Sequence, residues 1–249
     1  MAAVLRSLQA PPSPRELAGV WRGSELACHT QATLPSGHAV LDAQLPGGGW
    51  PLGALSEVLQ AQSGLHEWRL LLPALHAAAQ RGPLVLVGAP HLPHLPVLAS
   101  LGIAPERVLR IDARTPAERL WAAEQALRCH DLGALLAWLP QVRSEQLRRL
   151  QLAAQGRPAA QAVAFVLRPL AAQHESSPAP LRLSVQCGAG TQLTVQLLKR
   201  RGPLLAQPLA LDAPLPVLAA LKPVRSRHSE TDHAVDRPAR PRIRQLTAA

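Results

Sequence analysis

The sequence predicts an α/β protein with a mostly parallel central sheet flanked by helices and a C-terminal antiparallel hairpin, and three observations support that class. Between residues 54 and 168, short apolar runs alternate with segments of helical period, the pattern of βαβ units with helices on both sheet faces. From residue 181 the period changes, and apolar residues alternate with polar or charged ones on either side of a GAG turn. Beyond residue 211 proline interrupts the pattern and a basic, polar stretch succeeds it. The 249 residues therefore divide into an N-terminal segment with a docking helix (1–29), a core (30–211) and a Pro-punctuated basic tail (212–249), expected to be disordered.

Taken in order, Leu17, Val20, Trp21 and Leu26 recur at helical spacing after Pro14, which suits a helix start, and Trp21 reads as a packing anchor. The stretch LPSGHAVLDAQLPGGGWPLG is dense in glycine and proline and predicts tight turns. A strand is expected from Ala54 to Leu59, then a loop, then a helix over 66–81 with Trp68, Leu71, Leu72 and Leu75 on one face and Pro73 inside it. Strand LVLVG, a Pro-rich turn APHLPHLP and a short helix ending near Leu101 come next. His91 and His94 are separated by Pro93 and lack a third ligand nearby, so no metal site is expected. Strand RVLRID leads to a helix from about Pro116 to Cys129 with Leu120, Ala123 and Leu127 inward. Strand GALLAWL leads to a helix over 143–155, and strand AVAFVLR closes the alternating part. LRLSVQC and TQLTVQLLKRR then predict a hairpin with one wet face.

Composition narrows the function classes. Hydrophobic residues make up 47% of the chain, enough for a real core, while one Phe, five Trp and no Tyr leave few rings for stacking bases. The net charge of +10 favours an acidic partner. Cys28, Cys129 and Cys187 form no C-x-x-C pair and read as buried thiols in a reducing compartment. The N-terminus shows no long apolar region and no run approaches a membrane span. A cytoplasmic protein without a membrane partner is expected, with association to the nucleoid left open.

The loop after the first long strand is where a nucleotide-binding α/β protein would hold phosphate, because loop and helix N–H groups converge there. A functional P-loop needs G-x-x-x-x-G-K-[ST]. In QAQSGLHE, Gln60 stands at the first Gly position, Leu65 at the second, His66 at the Lys and Glu67 at the hydroxyl, with Ser63 and Gly64 between. These are degenerate positions, and neither a catalytic residue, a metal nor a cofactor is expected. His66 and Glu67 read as an exposed polar helix start, with Glu67 repelling an anion; nucleotide binding without hydrolysis is the alternative.

The order of parts over roughly residues 20–205 resembles the RecA-type ATPase core, most closely the ImuA family of translesion-synthesis accessory proteins. SGHAVLDAQLPGGGWPLGALSEV, with Ser36, Leu41, Asp42, its glycines and Gly53, is similar to the segment leading into the P-loop strand, and VQLLKRRGP resembles that family's basic hairpin strand. The resemblance implies a RecA-like core for the central segment. It places Pro90 where a water-orienting carboxylate would stand, and Trp138 or its neighbour where the magnesium-linked Asp would stand. With Lys, hydroxyl and both carboxylates replaced, no ATP hydrolysis is expected. The resemblance implies a non-catalytic accessory protein of damage-induced mutagenesis. Its partners would be an ImuB-like Y-family polymerase relative and an error-prone C-family polymerase, with RecA and weak, non-specific single-stranded DNA as further candidates. The alternatives are a SulA-like cell-division inhibitor and a weak ATP-binding modulator of RecA filaments.

The basic candidates for DNA or partner contact are Lys199, Arg200 and Arg201 on the hairpin, and Lys222, Arg225, Arg227, Arg237, Arg240, Arg242 and Arg244 in the tail. With few aromatics beside them, they would contact phosphates without reading bases. The bland readings are a solvated tail and a hairpin edge protected by charge.

Overall fold

A computed structural model of the protein describes residues 31–156 and 161–214. The expected helix within 15–28, Cys28 and the basic tail from Lys222 lie outside the described residues.

A two-stranded ribbon joins β1 (Thr33–Leu34) to β2 (Trp50–Pro51). Eight further strands form one sheet, and they are β3 (Leu55–Gln60), β4 (Leu84–Val87), β5 (Val108–Ile111), β6 (Ala134–Trp138), β7 (Val163–Pro169), β8 (Leu181–Cys187), β9 (Gln192–Lys199) and β10 (Leu209–Asp212). Their spatial order is β10-β9-β8-β3-β7-β6-β4-β5. The six strands from β8 to β5 are parallel, and β9 and β10 extend the sheet in antiparallel pairings. β3 is central: Val58 is opposite Leu167 of β7 on one side and Leu183 of β8 on the other.

The helices are α1 (Ala39–Asp42), α2 (Glu67–Ala79), α3 (Leu95–Ser100), α4 (Pro116–Arg128) and α5 (Ser144–Gln155). One sheet face carries α2, whose Leu70, Leu71, Ala74, Leu75 and Ala78 pack with Val58, Leu86, Leu136 and Phe165. On the other, Ala123 and Leu127 of α4 and Leu147 and Leu150 of α5 pack with Leu55, Val87, Leu135 and Val166. This is why β4, β6 and most of β7 read as largely apolar runs: both of their faces are covered. Trp50 is fully buried and meets Phe165 edge to face, with ring centroids 5.1 Å apart. The α4 start carries a capping box, Thr115 accepting from Glu118 N–H while the Glu118 carboxylate accepts from Thr115 N–H.

Four expectations need correction. The first hairpin strand has no wet face over Leu181–Val185, because β8 lies inside the sheet beside β3. β9 does alternate, but it is not an edge, because β10 covers it; the sheet therefore runs past residue 211, and Asp212, the first residue assigned to the tail, ends its last strand. Cys129 and Cys187 are exposed, not buried: one succeeds the last turn of α4 and the other ends β8 beyond the covered part of the sheet. The glycine- and proline-rich stretch is not turns throughout, since it contains the single helical turn α1, the second strand of the ribbon and Leu34, the last residue of the first. Its Asp42 holds the turn together by accepting from Ser36 N–H at 2.8 Å.

Candidate functional site

The loop 61–66 leaves β3 at the C-terminal end of the parallel strands, the edge at which open α/β sheets present their ligand crevices. Residues of this edge converge on one side chain. Glu67, the first residue of α2, is fully buried. One carboxylate oxygen accepts from Gly64 N–H at 2.6 Å and from the indole Nε1–H of Trp138 at 2.9 Å; the other accepts from His66 N–H at 3.0 Å. Two backbone donors of the loop and the donor at the end of β6 are thus satisfied by a carboxylate of the chain itself. The expectation of an exposed polar helix start at residues 66 and 67 is therefore wrong for Glu67, because its carboxylate turns inward to donors that would otherwise be orphaned.

Gly64 makes the inward loop possible. Its φ is +94°, in the region open mainly to glycine, and a Cβ there would fall 2.6 Å from Cδ2 of His91. Leu65 is exposed, Ser63 is half-buried, and Gln60 is buried at the end of β3 with neither amide atom hydrogen-bonded within the protein. His66 is half-buried, with its Nδ1 buried and unpartnered. Loss of hydration lowers its pKa below the usual imidazole value, the charge of Arg69 lowers it further, and Glu67 opposes both. These effects favour the neutral imidazole of His66.

Beside Glu67 the sheet edge opens into an apolar cavity of about 500 Å³ between α2, α3 and the loop after β4. Trp68 and Leu72 of α2, Trp138, Pro90, His91 and Leu98 contribute to its walls. Pro90 and Trp138, the two positions expected to have lost carboxylates, therefore face the same space. His91 and His94 are also on its wall, and among the described residues no group of three or more His, Cys, Asp or Glu side chains could hold a metal ion.

On the other side of α2, buried Arg69 binds the last strands to the helix start. Its Nε donates to the Ala213 carbonyl at 2.8 Å and a terminal nitrogen donates to the Thr191 carbonyl at 2.6 Å. The hairpin is thereby fastened to the helix that carries Glu67.

The hairpin cations are not gathered at this site. Lys199 donates to the Ser177 carbonyl at 2.7 Å, and Arg200 donates to the Pro203 carbonyl at 2.7 Å and to the Gln44 carbonyl. Arg201 is exposed on the wall of a different cavity, with Gln31, Gly53 and Gln155. Lys199 is exposed, while much of the Arg200 guanidinium is committed to the chain's own carbonyls.

Sequence reading misses a second polar cluster, under the same sheet. Glu57 of β3 is fully buried; it accepts from Arg182 Nε at 3.1 Å and from Ser177 Oγ, with an Arg168 nitrogen 3.5 Å away. Arg168 also donates to Glu175 at 2.5 Å and Arg182 to the Ala172 carbonyl at 2.8 Å. A signal is present: Glu57, Arg168 and Arg182 each stand inside an apolar run, and a charge in a covered strand requires an opposite charge nearby.

No protein-family model matches the chain, and no curated protein matches its sequence. No helix among the described residues is long and apolar enough to cross a membrane.

Proposed function

We propose that this chain is a non-catalytic, RecA-like accessory protein of damage-induced translesion DNA synthesis. It would serve as a docking body for an ImuB-like Y-family relative and an error-prone C-family polymerase. The observation that supports the non-catalytic part is the Glu67 carboxylate. It takes the Gly64 and His66 N–H groups that a phosphate would need, and a second negative charge brought beside a buried carboxylate is strongly disfavoured. At the end of β6, two strands from β3, the carboxylate that the resemblance would expect beside a metal is replaced by Trp138, whose indole donates to Glu67. Phosphoryl transfer depends on metal and positive charge around the γ-phosphate, and this edge offers a neutral His66 and an indole.

The accessory role itself is supported by the order of parts behind the resemblance: a central strand, a loop and a helix at the C-terminal edge of a parallel sheet, then an antiparallel hairpin with basic residues at its end. A fold carries no function by itself, so the partner must be tested directly. The tagged protein is recovered from its host after DNA damage, with and without residues 222–249. Recovery of Y-family and C-family polymerase subunits is expected; recovery of the division protein with no polymerase would replace this reading with the SulA-like one. Weak single-stranded DNA binding by the tail would show as a salt slope that flattens when residues 222–249 are removed.

A further inference from the structure

The cavity beside Glu67 and the end of the described chain share one rim of the sheet. β9 starts and β10 ends at the edge where the parallel strands finish, and Ala213 is held there by Arg69 of α2. Trp68, the residue before Arg69 in that helix, is on the cavity wall toward β6 and β4. Pro214 thus leaves the fold beside the helix whose Trp68 lines the cavity.

Pro214 is succeeded by LPVLAAL, residues 215–221, seven residues without a charge or a polar side chain, and Lys222 then begins the basic stretch. We propose that residues 215–221 are the occupant of this cavity, laying their valine and leucine side chains against Trp68, Leu72 and Leu98. Three features of the site support that occupant. The walls are mostly apolar, so an uncharged aliphatic segment gains by entering. Leu92, on the wall, is 76% exposed and Leu65, on the loop between the cavity and Arg69, is 49% exposed; a segment crossing from Ala213 would cover both. The reach suffices, because eight extended residues span ~26 Å at ~3.3 Å each, against ~10–12 Å for the width of a helix. Proline lacks an N–H group, so a segment containing Pro214 and Pro216 needs fewer hydrogen-bond partners. Seated this way, residues 215–221 would fix the root of the basic stretch at the rim above α2.

The test places a photo-crosslinking phenylalanine derivative at Leu218 or at Leu221 of the full chain, mixed with isotope-labelled copies. Adducts within one chain to Trp68, Leu72, Leu92 or Leu98 are expected. Adducts to other surfaces, or only between chains, would overturn the proposal; the second would assign the cavity to another copy. In parallel, L218D with L221D in the full chain should raise the fluorescence of a bound apolar dye several-fold, and L72D added to that background should abolish the gain. An unchanged dye signal would mean that the cavity is open in the native chain, contrary to the proposal.

Discussion

At the residue scale, the loop after β3 depends on one carboxylate. Glu67 supplies acceptors for two loop N–H groups and the Trp138 indole, and each buried donor left without a partner costs about 1–3 kcal/mol. Glu67→Gln keeps the shape but points an amide NH₂ at groups that are themselves donors. It should lower the free energy of unfolding by roughly 1–3 kcal/mol, read from urea melts. An unchanged unfolding free energy would mean the loop does not depend on it. His66 makes a pH prediction. Its pKa is lowered in the folded state, mainly by burial, so the unfolded chain takes up the proton first as pH falls. Stability is unaffected by this group well above about 6.5, declines as pH drops below that value, and the penalty is complete once the lowered pKa is passed. His66→Gln should remove that part of the decline, seen as the difference between the two stability–pH curves on either side of the usual imidazole value. Identical curves would show that His66 titrates alike in both states.

At the scale of elements, the alternation of strands and helices is legible in the sequence because the covered strands are largely apolar runs and α4 announces itself with Thr115, Pro116 and Glu118. The features that escape are short or depend on partners distant in sequence. LALD is four residues between prolines, too brief for a period to show, and becomes a strand only because β9 offers it hydrogen bonds. Glu67 reads as a solvated helix start because its carboxylate serves Trp138, 71 residues away, and the local sequence holds no trace of that bond. Charges inside apolar strands hint at the Glu57 cluster, yet which arginines answer it depends on the β7-β3-β8 order. That cluster sets a prediction about the central strand. Breaking a buried ion pair by removing one charge commonly costs about 3–5 kcal/mol, because the partner is left uncompensated. Glu57→Gln leaves Arg182 and Arg168 facing a neutral amide, and should shift the urea midpoint downward by a comparable free energy while Ser177→Ala shifts it much less. Equal, small effects would mean that the arginines are balanced by the surrounding carbonyls and Glu175.

At the scale of the whole molecule, one sheet carries two built features on β3: the Glu57 cluster beneath it and the self-satisfied loop at its end. Arg69 ties the loop's helix to the hairpin, donating to carbonyls at Ala213 and Thr191. Lys199, Leu65 and Leu92 are exposed on this body. Its central property is that the loop N–H groups after β3 are already taken by a carboxylate of the chain itself. The measurement that reaches this most directly is calorimetric titration of the full-length protein with magnesium-ATP, beside a turnover assay with single-stranded DNA present. No saturable heat and no phosphate release above the no-protein blank are predicted. Saturable binding with hydrolysis that is lost in His66→Ala would contradict this, and would show that the loop opens and Glu67 yields its donors to the nucleotide.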